Sequence, residues 1–167
     1  MTTYDLATIH DDSVLRALLR DNAMSSWVSM AVTREPSYFA GTNRFGHDWA
    51  VIARKDNTPI GMYSCSEQYI HLNGIQTELG YLGALRLSPA YRNRLRILRD
   101  GYTSIRSFTP NRKPELWYTA IATDNHVARR ILEANLPGMP IYSATNNFVT
   151  MAFPKARSRF QGLWRQA

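Results

Sequence analysis

The dipeptide Asn73-Gly74 lies between two long runs of apolar and β-branched residues, 60–70 and 75–87. Asparagine and glycine both tolerate the positive φ angles of a tight hairpin turn, so this pair is a strong hairpin signal. A third run of the same kind, 49–54, comes just before them and is separated from 60–70 by turn-forming residues. The centre of the chain is therefore predicted to be a three-stranded antiparallel meander.

The run 75–87 is apolar at most positions, which is typical of a central strand buried on both faces. It ends at Ser88-Pro89, and a basic stretch begins at Arg92. Apolar residues then recur at helical spacing, so this stretch is predicted to become a helix with one buried face. The positions that define this face are Leu95, Leu98, Tyr102, Ile105 and Phe108.

Weaker signals complete the order of elements, with residues 25–33 ambiguous. The predicted elements are a strand at 3–9, a helix capped by Asp11 and Asp12, a short helix opening at Pro36, a strand at 116–122, a helix at 125–135 and one or two strands within 139–153. This order predicts an α/β (or α+β) fold, a mixed central sheet flanked by helices. One domain is expected over 1–154, followed by a basic tail at 155–167.

The composition narrows the class of protein. A length of 167 residues suits one domain, and a net charge of +7 favours polyanionic partners such as cofactor phosphates, nucleic acid or an acidic membrane face. The single cysteine, Cys65, cannot form an internal disulfide and is expected in the core, and the scattered histidines predict no metal site. No apolar stretch approaches the roughly 20 residues of a membrane span, and no signal peptide is visible, so a cytoplasmic protein is expected.

The segment 85–94 combines a buried strand, a proline stop and a cationic turn into a helix. A helix N-terminus offers unpaired N–H groups and the positive end of the helix dipole, so this segment is a candidate pyrophosphate site. The alternative is an ordinary solvated helix face. The added positive charge comes from Arg92, Arg94, Arg96 and Arg99.

The same segment resembles the acetyl-CoA-binding motif of the GNAT N-acetyltransferase superfamily, apolar-x-apolar-x-Pro-x-Tyr-Arg-x-x-Gly-x-Gly, through Leu85, Leu87, Pro89, Tyr91 and Arg92. A second segment, 125–133, is similar to the family's Asn-x-x-Ala-x-x-apolar-x-Glu helix, which lies beside the CoA arm. The resemblance implies a GNAT-like fold and transfer of an acyl group from acetyl-CoA to an amine. The cofactor-binding residues that it implies are Leu85, Arg86, Leu87, Arg92, Asn93, Arg94, Leu95, Arg96, Ile97, Asn125 and Ala128.

Two departures from the family pattern stand out. The motif's glycines fall on Leu95 and Ile97, whose side chains could open the phosphate cradle, shift phosphate toward the arginines or remove binding. A tyrosine that often serves as general acid, one residue before the helix glutamate, is replaced by Leu132. An enzyme with this sequence needs another group to protonate the leaving thiolate.

Acyl transfer to an amine needs a polarised thioester carbonyl, a base for the ammonium and a proton donor for the thiolate. Backbone N–H groups of 85–87 are candidates for the first role. Glu78 and Tyr81 are candidates for the base, on opposite faces of one strand because they are three residues apart. Tyr142, which follows the cofactor helix, is the candidate acid, and Tyr118 is the alternative. Both tyrosines are also compatible with ordinary core positions.

Other functions stay open on the sequence alone. A non-catalytic GNAT-like module that binds acyl-CoA or a protein is favoured by the lost glycines and tyrosine. Nucleic-acid binding, including tRNA, is supported by charge and by the basic aromatic tail but by no recognised motif. The acceptor amine belongs to a small molecule, a peptide or an aminoacyl-tRNA, and a homodimer is possible.

Overall fold

The computed structural model describes residues 1–23, 32–43, 46–92, 94–109, 114 and 116–147. Five strands in these ranges form one sheet in the order β1-β2-β3-β4-β5. The strands are β1 Thr2–Leu6, β2 Gly46–Lys55, β3 Thr58–Leu72, β4 Ile75–Leu87 and β5 Leu116–Tyr118. The α-helices are α1 Asp12–Asp21, α2 Leu95–Phe108 and α3 His126–Leu132, with single 3₁₀ turns at Ile9–Asp11 and Pro89–Tyr91.

The predicted meander is confirmed. Asn73 and Gly74 turn the chain with φ angles of 51° and 82°, and β3 and β4 pair as a long antiparallel hairpin. The β1–β2 and β2–β3 ladders are also antiparallel, whereas β4 and β5 are parallel. The sheet is therefore mixed, as the order of elements predicted.

Helices cover both faces of the sheet because consecutive residues of β2 point to opposite sides. On one face, α1 packs Leu15, Leu18 and Leu19 into a cluster with Ala50 and other strand residues. On the other face, Val51 belongs to a cluster that includes residues of α2. The hydrophobic effect acting on both clusters fixes the position of β4, which lies between them.

Two N-terminal predictions were wrong in detail. The first strand ends at Leu6 rather than at residue 9, because the Asp11 carboxylate accepts the Thr8 N–H at 2.9 Å and turns the chain into Ile9–Asp11. No helix opens at Pro36; residues 38–43 form turns. The N–H groups of Tyr38 and Phe39 donate to the side chains of Asp12 and Ser37, so they are withdrawn from a helical ladder.

The C-terminal half also departs from the pattern. Strand β5 ends at Tyr118 instead of residue 122, and α3 is shorter than predicted. Residues 139–147 contain no strand. Residues 148–153 and the predicted tail lie outside the described residues, as do 25–31 of the ambiguous segment. The prediction that β4 is buried on both faces was wrong for the second half of the strand, where Leu85 is 43% exposed. The reason is that β4 separates from β5 there, which creates the candidate site.

Candidate functional site

Strands β4 and β5 diverge after a short contact. They pair at Leu79–Tyr81 against Leu116–Tyr118, and no further register follows among the described residues. Just past the last pair, the Thr119 hydroxyl donates to the Leu82 carbonyl at 2.8 Å. A side-chain hydrogen bond therefore takes the place of the next backbone hydrogen bond between the strands. The two strands therefore open into a V-shaped gap.

A bulge in β4 lies at the mouth of this gap. The β3–β4 register shifts between Met62 and Ser64, which face Arg86 and Gly83, and Ala84 has a φ of 50°. A bulge leaves its extra residue out of the ladder and bends the strand. A non-glycine residue at positive φ costs free energy, and such strain concentrates at functional sites. The bulge gives β4 backbone groups that the sheet does not consume.

A cavity of about 180 Å³ occupies the gap between β4, α2 and α3; it is called the cleft below. Six residues predicted to bind the cofactor line it. They are Leu85, Arg86, Leu87, Ile97, Asn125 and Ala128. The strand and the helix that resemble the two family segments therefore face the same cavity, from opposite sides.

Four other predicted cofactor residues within the described ranges do not line the cleft: Arg92, Arg94, Leu95 and Arg96. Arg94 stacks on the Tyr91 ring at 5.3 Å. Leu95 is 45% exposed in the first turn of α2, and the 85%-exposed side chain of Arg96 lies 3.6 Å from Asp100. Asn93 lies outside the described residues. Their role in phosphate binding stays a prediction.

The Arg92 side chain forms two hydrogen bonds to other parts of the fold. Its Nε donates to the Leu87 carbonyl at 3.2 Å, and Nη2 donates to Asn22 Oδ1 at 3.1 Å. Asn22 is buried and also donates to the Leu18 carbonyl. Arg92 thus ties the end of α1 to the end of β4.

Replacing Arg92 by alanine is expected to lower the free energy of unfolding by about 1–3 kcal/mol, because it leaves the buried Asn22 oxygen without a donor. The exposed Arg96→Ala is the matched control and should change stability by less than about 0.5 kcal/mol. Urea unfolding of both variants measures the difference. Equal stability of the two would show that the tie to Asn22 contributes nothing.

Ile97 occupies the position of a motif glycine and belongs to the hydrophobic core. It is 9% exposed and packs against Ala53 and Ile60. Its carbonyl accepts the Tyr4 hydroxyl at 2.7 Å. The first turn of α2 is therefore anchored to β1 and β2 by a side chain and a hydrogen bond.

Asn125 acts first as a helix cap. Its Oδ1 accepts the Ala128 N–H at 3.1 Å, which begins α3. The hydrogen bonds described for this side chain use its oxygen, so its amide NH₂ remains available to the cleft that it lines.

Arg86 has an unusual environment. Its Nε is buried and has no hydrogen-bond partner within the described residues, while Nη1 donates to the Leu85 carbonyl at 2.9 Å. Burial lowers the pKa of this guanidinium, which nevertheless stays charged near neutral pH. A buried charged donor without an acceptor is costly unless a ligand supplies one.

Tyr142, the predicted acid, does not line the cleft but reaches a tyrosine that does. Its hydroxyl donates to the Tyr102 hydroxyl at 3.0 Å. Burial raises the pKa of Tyr142, and Tyr102 adds to this rise. Burial also raises the pKa of Tyr102, while the bond from Tyr142 acts in the opposite direction. Sequence reasoning placed Tyr102 only in the apolar stripe of α2; no signal separated its hydroxyl from its ring.

A second cavity of about 310 Å³, called the side cavity, lies on the other side of β4 and includes Tyr81. Burial raises the pKa of Tyr81, with a contribution from Tyr118, whose ring lies 5.0 Å away. Tyr81 is therefore neutral near pH 7 and suits a role in orienting water. Glu78 pairs with Tyr69 toward the hairpin turn and lines neither cavity.

Gly83 lies between the cleft and residues of the side cavity. A Cβ built there would lie 2.8 Å from the Tyr81 ring and 3.4 Å from the Ser64 hydroxyl. Gly83 lines the cleft, whereas Ser64 and Tyr81 line the side cavity. The Tyr81 ring therefore occupies the space that a side chain at position 83 would need. The sequence did not single out this glycine.

Comparison with known proteins shows what this arrangement is similar to. No protein-family model and no curated protein matches the chain. Among solved structures it is similar to the aminoglycoside antibiotic 6'-N-acetyltransferase AAC(6')-Ig of Acinetobacter haemolyticus, with a TM-score of 0.62, 17% identity and coverage of 91% of this chain and 98% of that one. AAC(6')-Iy in complex with the bisubstrate analogue CoA-S-monomethyl-acetylneamine gives a TM-score of 0.63 at 12% identity, with coverage of 91% and 99%. The chain has a GNAT-like fold.

The GNAT-like fold does not by itself assign an activity. A transcriptional regulator from Bacillus halodurans C-125 matches with a TM-score of 0.66, 14% identity and coverage of 92% and 100%. None of the helices in the described ranges is long and apolar enough to span a membrane. The same ranges hold no group of three His, Cys, Asp or Glu side chains placed to bind a metal ion.

Proposed function

We propose that the protein is an acyl-CoA-dependent N-acyltransferase, with acetyl-CoA as the donor. The observation that carries the proposal is the cleft between β4 and β5, with the bulge at Ala84 on one wall and Asn125 on the other. The resemblance to solved N-acetyltransferases, one of them bound to a CoA bisubstrate analogue, supports the same reading.

The residues of the cleft fit a thioester ligand. Unconsumed backbone N–H groups at the bulge can polarise the acyl carbonyl, because such donors stabilise the negative charge that develops on oxygen. The Arg86 guanidinium, whose buried Nε has no partner within the described residues, and the NH₂ of Asn125 can donate to oxygens of the ligand. Cys65 is buried and its thiol pKa is raised, so direct transfer without a covalent enzyme intermediate is the consistent route.

In the transfer itself, water oriented by Tyr81 first takes one proton from the ammonium and passes it to solvent. The neutral amine nitrogen then forms a bond to the acyl carbon, the carbon–sulfur bond breaks, and the nitrogen releases its second proton. The departing sulfur takes the hydroxyl proton of Tyr102, which is free because Tyr102 already accepts the hydroxyl of Tyr142. The proton released by the amine then restores the tyrosine pair through solvent.

The direct test is calorimetric titration with acetyl-CoA, followed by a thiol-release assay with a panel of amines. Binding with turnover of at least one amine class supports the proposal. No heat and no thermal shift at millimolar acetyl-CoA would remove it. Firm binding without turnover of any amine would favour the non-catalytic acyl-CoA module, which the side chains at Ile97 and Leu132 already favour.

Replacing Arg86 by methionine is expected to raise the Kd of acetyl-CoA about 10- to 100-fold, because a hydrogen bond to a charged group contributes about 1.5–3 kcal/mol. The ligand-free protein should keep its melting temperature or gain stability, since a buried donor without a partner is removed. Calorimetry and thermal unfolding measure the two effects. Unchanged affinity together with lost stability would show that Arg86 is purely structural.

A further inference from the structure

The side cavity has a composition that discriminates between amines. Two charged residues line it, Arg34 and Asp48, and the rest of its wall is aromatic or neutral. Two of its four aromatic rings offer little surface to a ligand, because Tyr38 is 2% exposed and Trp49 packs against Tyr63 and Phe108. Phe39 and Tyr81 can pack against an apolar or aromatic body, beside the neutral polar residues Thr42, Ser64, Ser66 and Gln68.

Arg34 is fixed in place, and the hydrogen bond described for its side chain uses one guanidinium nitrogen. Its guanidinium carbon lies 4.7 Å from the centre of the Tyr38 ring, and Nη1 donates to the Tyr38 carbonyl at 3.2 Å. The nearby carboxylates of Asp12 and Glu35 are both bound by Arg16. No carboxylate of the described residues forms an ion pair with Arg34. A stacked guanidinium with N–H donors that the described residues do not use suits a carboxylate.

Asp48 is already engaged. Its Oδ2 accepts the Asn43 N–H at 2.8 Å, and its own N–H donates to Asn43 Oδ1 at 2.6 Å. This reciprocal pair joins Asn43 to β2, which contains Asp48. The carboxylate therefore has a structural task and offers limited attraction to several ammonium groups at once.

We propose that the acceptor is a small amine with an apolar or aromatic body and one carboxylate. This rests on the proposed N-acyltransferase function. The carboxylate binds Arg34, the body lies against Phe39, and the amine reaches Tyr81, whose ring lies beside Gly83 of the cleft. A polycation such as neamine would bring several ammonium groups against Arg34 with one engaged carboxylate to compensate, so the cavity disfavours it.

Two matched ligands isolate the carboxylate: N-acetylphenylalanine and N-acetylphenethylamine, which differ only in that group. Calorimetry should show that the wild-type protein binds the first at least about 10-fold more tightly. Arg34→Gln should remove this preference, Arg34→Lys should keep part of it, and neither should change the affinity for the second ligand. Arg106→Gln, an exposed arginine on α2, is the control and should leave both affinities unchanged.

The competing outcomes are distinct. The acceptor class is overturned if the wild-type protein binds the two ligands with equal affinity. It is also overturned if Arg34→Gln and Arg34→Lys both lower the affinity for the two ligands by the same factor. Thiol release from acetyl-CoA should be faster with phenylalanine than with phenethylamine or neamine, and faster turnover of neamine also overturns it. The binding measurements need no turnover, so an Arg34-dependent preference in a protein that fails to bind acetyl-CoA would retain the carboxylate site and reject the transferase function.

Discussion

Replacing Tyr102 by phenylalanine is expected to lower kcat by about 100- to 10,000-fold, the range typical of losing a general acid. The affinity for acetyl-CoA should change little, because the ring that lines the cleft remains. Tyr142→Phe should lower kcat less, since Tyr142 acts through Tyr102, whose hydroxyl it orients. Thiol release under saturating donor, together with calorimetry, measures both effects.

The pH profile provides a readout that a purely structural role would not affect. Burial raises the pKa of Tyr102 above its ordinary value of 10.0, so the acid stays protonated through neutral pH. Its deprotonation should therefore lower the rate only in the alkaline range, and Tyr102→Phe should abolish that alkaline limb. If Tyr142→Phe lost more activity than Tyr102→Phe, the roles of the two tyrosines would have to be exchanged. Full activity of both variants would leave Tyr118 as the remaining candidate acid.

Restoring the motif glycine at Ile97 is expected to damage the protein. Ile97→Gly removes a 9%-exposed side chain and places glycine in a helix, which should cost about 3–6 kcal/mol of unfolding free energy. Domains are typically stable by about 5–15 kcal/mol, so the variant should melt far below the wild-type protein. Thermal and urea unfolding measure the loss.

Leu95→Gly is the matched control, because Leu95 occupies the other glycine position and is 45% exposed. It should cost only about 1 kcal/mol. Similar behaviour of the two variants would contradict the conclusion that Ile97 has become part of the core. A large difference would show that the two departures from the motif are unlike: one is structural, and the other lies on the surface.

Periodicity predicted the parts of the fold that local chemistry determines. The Asn73-Gly74 turn and the extent of β4 follow from turn geometry and apolar spacing. The predicted buried face of α2 was wrong in part, because Leu95 is 45% exposed whereas Ile97 and Gly101, outside that face, are buried. Periodicity also failed where a side chain distant in sequence forms a hydrogen bond with the backbone. The Asp12 carboxylate accepts the N–H of Tyr38, and the Thr119 hydroxyl donates to the carbonyl of Leu82. Neither contact can be inferred from the residues adjacent in sequence.

The candidate site divides in the same way. The motif residues of β4 and of the start of α3 were found because they lie in two short segments that face one cavity. Tyr102 and Arg34 were not found, because their importance depends on partners far away in the chain or on carboxylates already bound elsewhere. The sequence predicted Arg92 to be a positive charge for phosphate binding. In the structure its guanidinium donates hydrogen bonds to Asn22 and Leu87.

The parallel ladder between β4 and β5 is short, limited to Leu79–Tyr81 against Leu116–Tyr118, whereas β3 and β4 pair along most of their length. Segments with few paired backbone groups open locally at free energies well below that of global unfolding. The two walls of the cleft therefore differ in their resistance to local opening. A ligand that touches both must hold them at one separation, so part of its binding free energy goes into ordering β5 and α3. Amide hydrogen exchange in 116–132 and affinity for the donor are thus linked quantities, and a substitution that slows the exchange should also tighten binding.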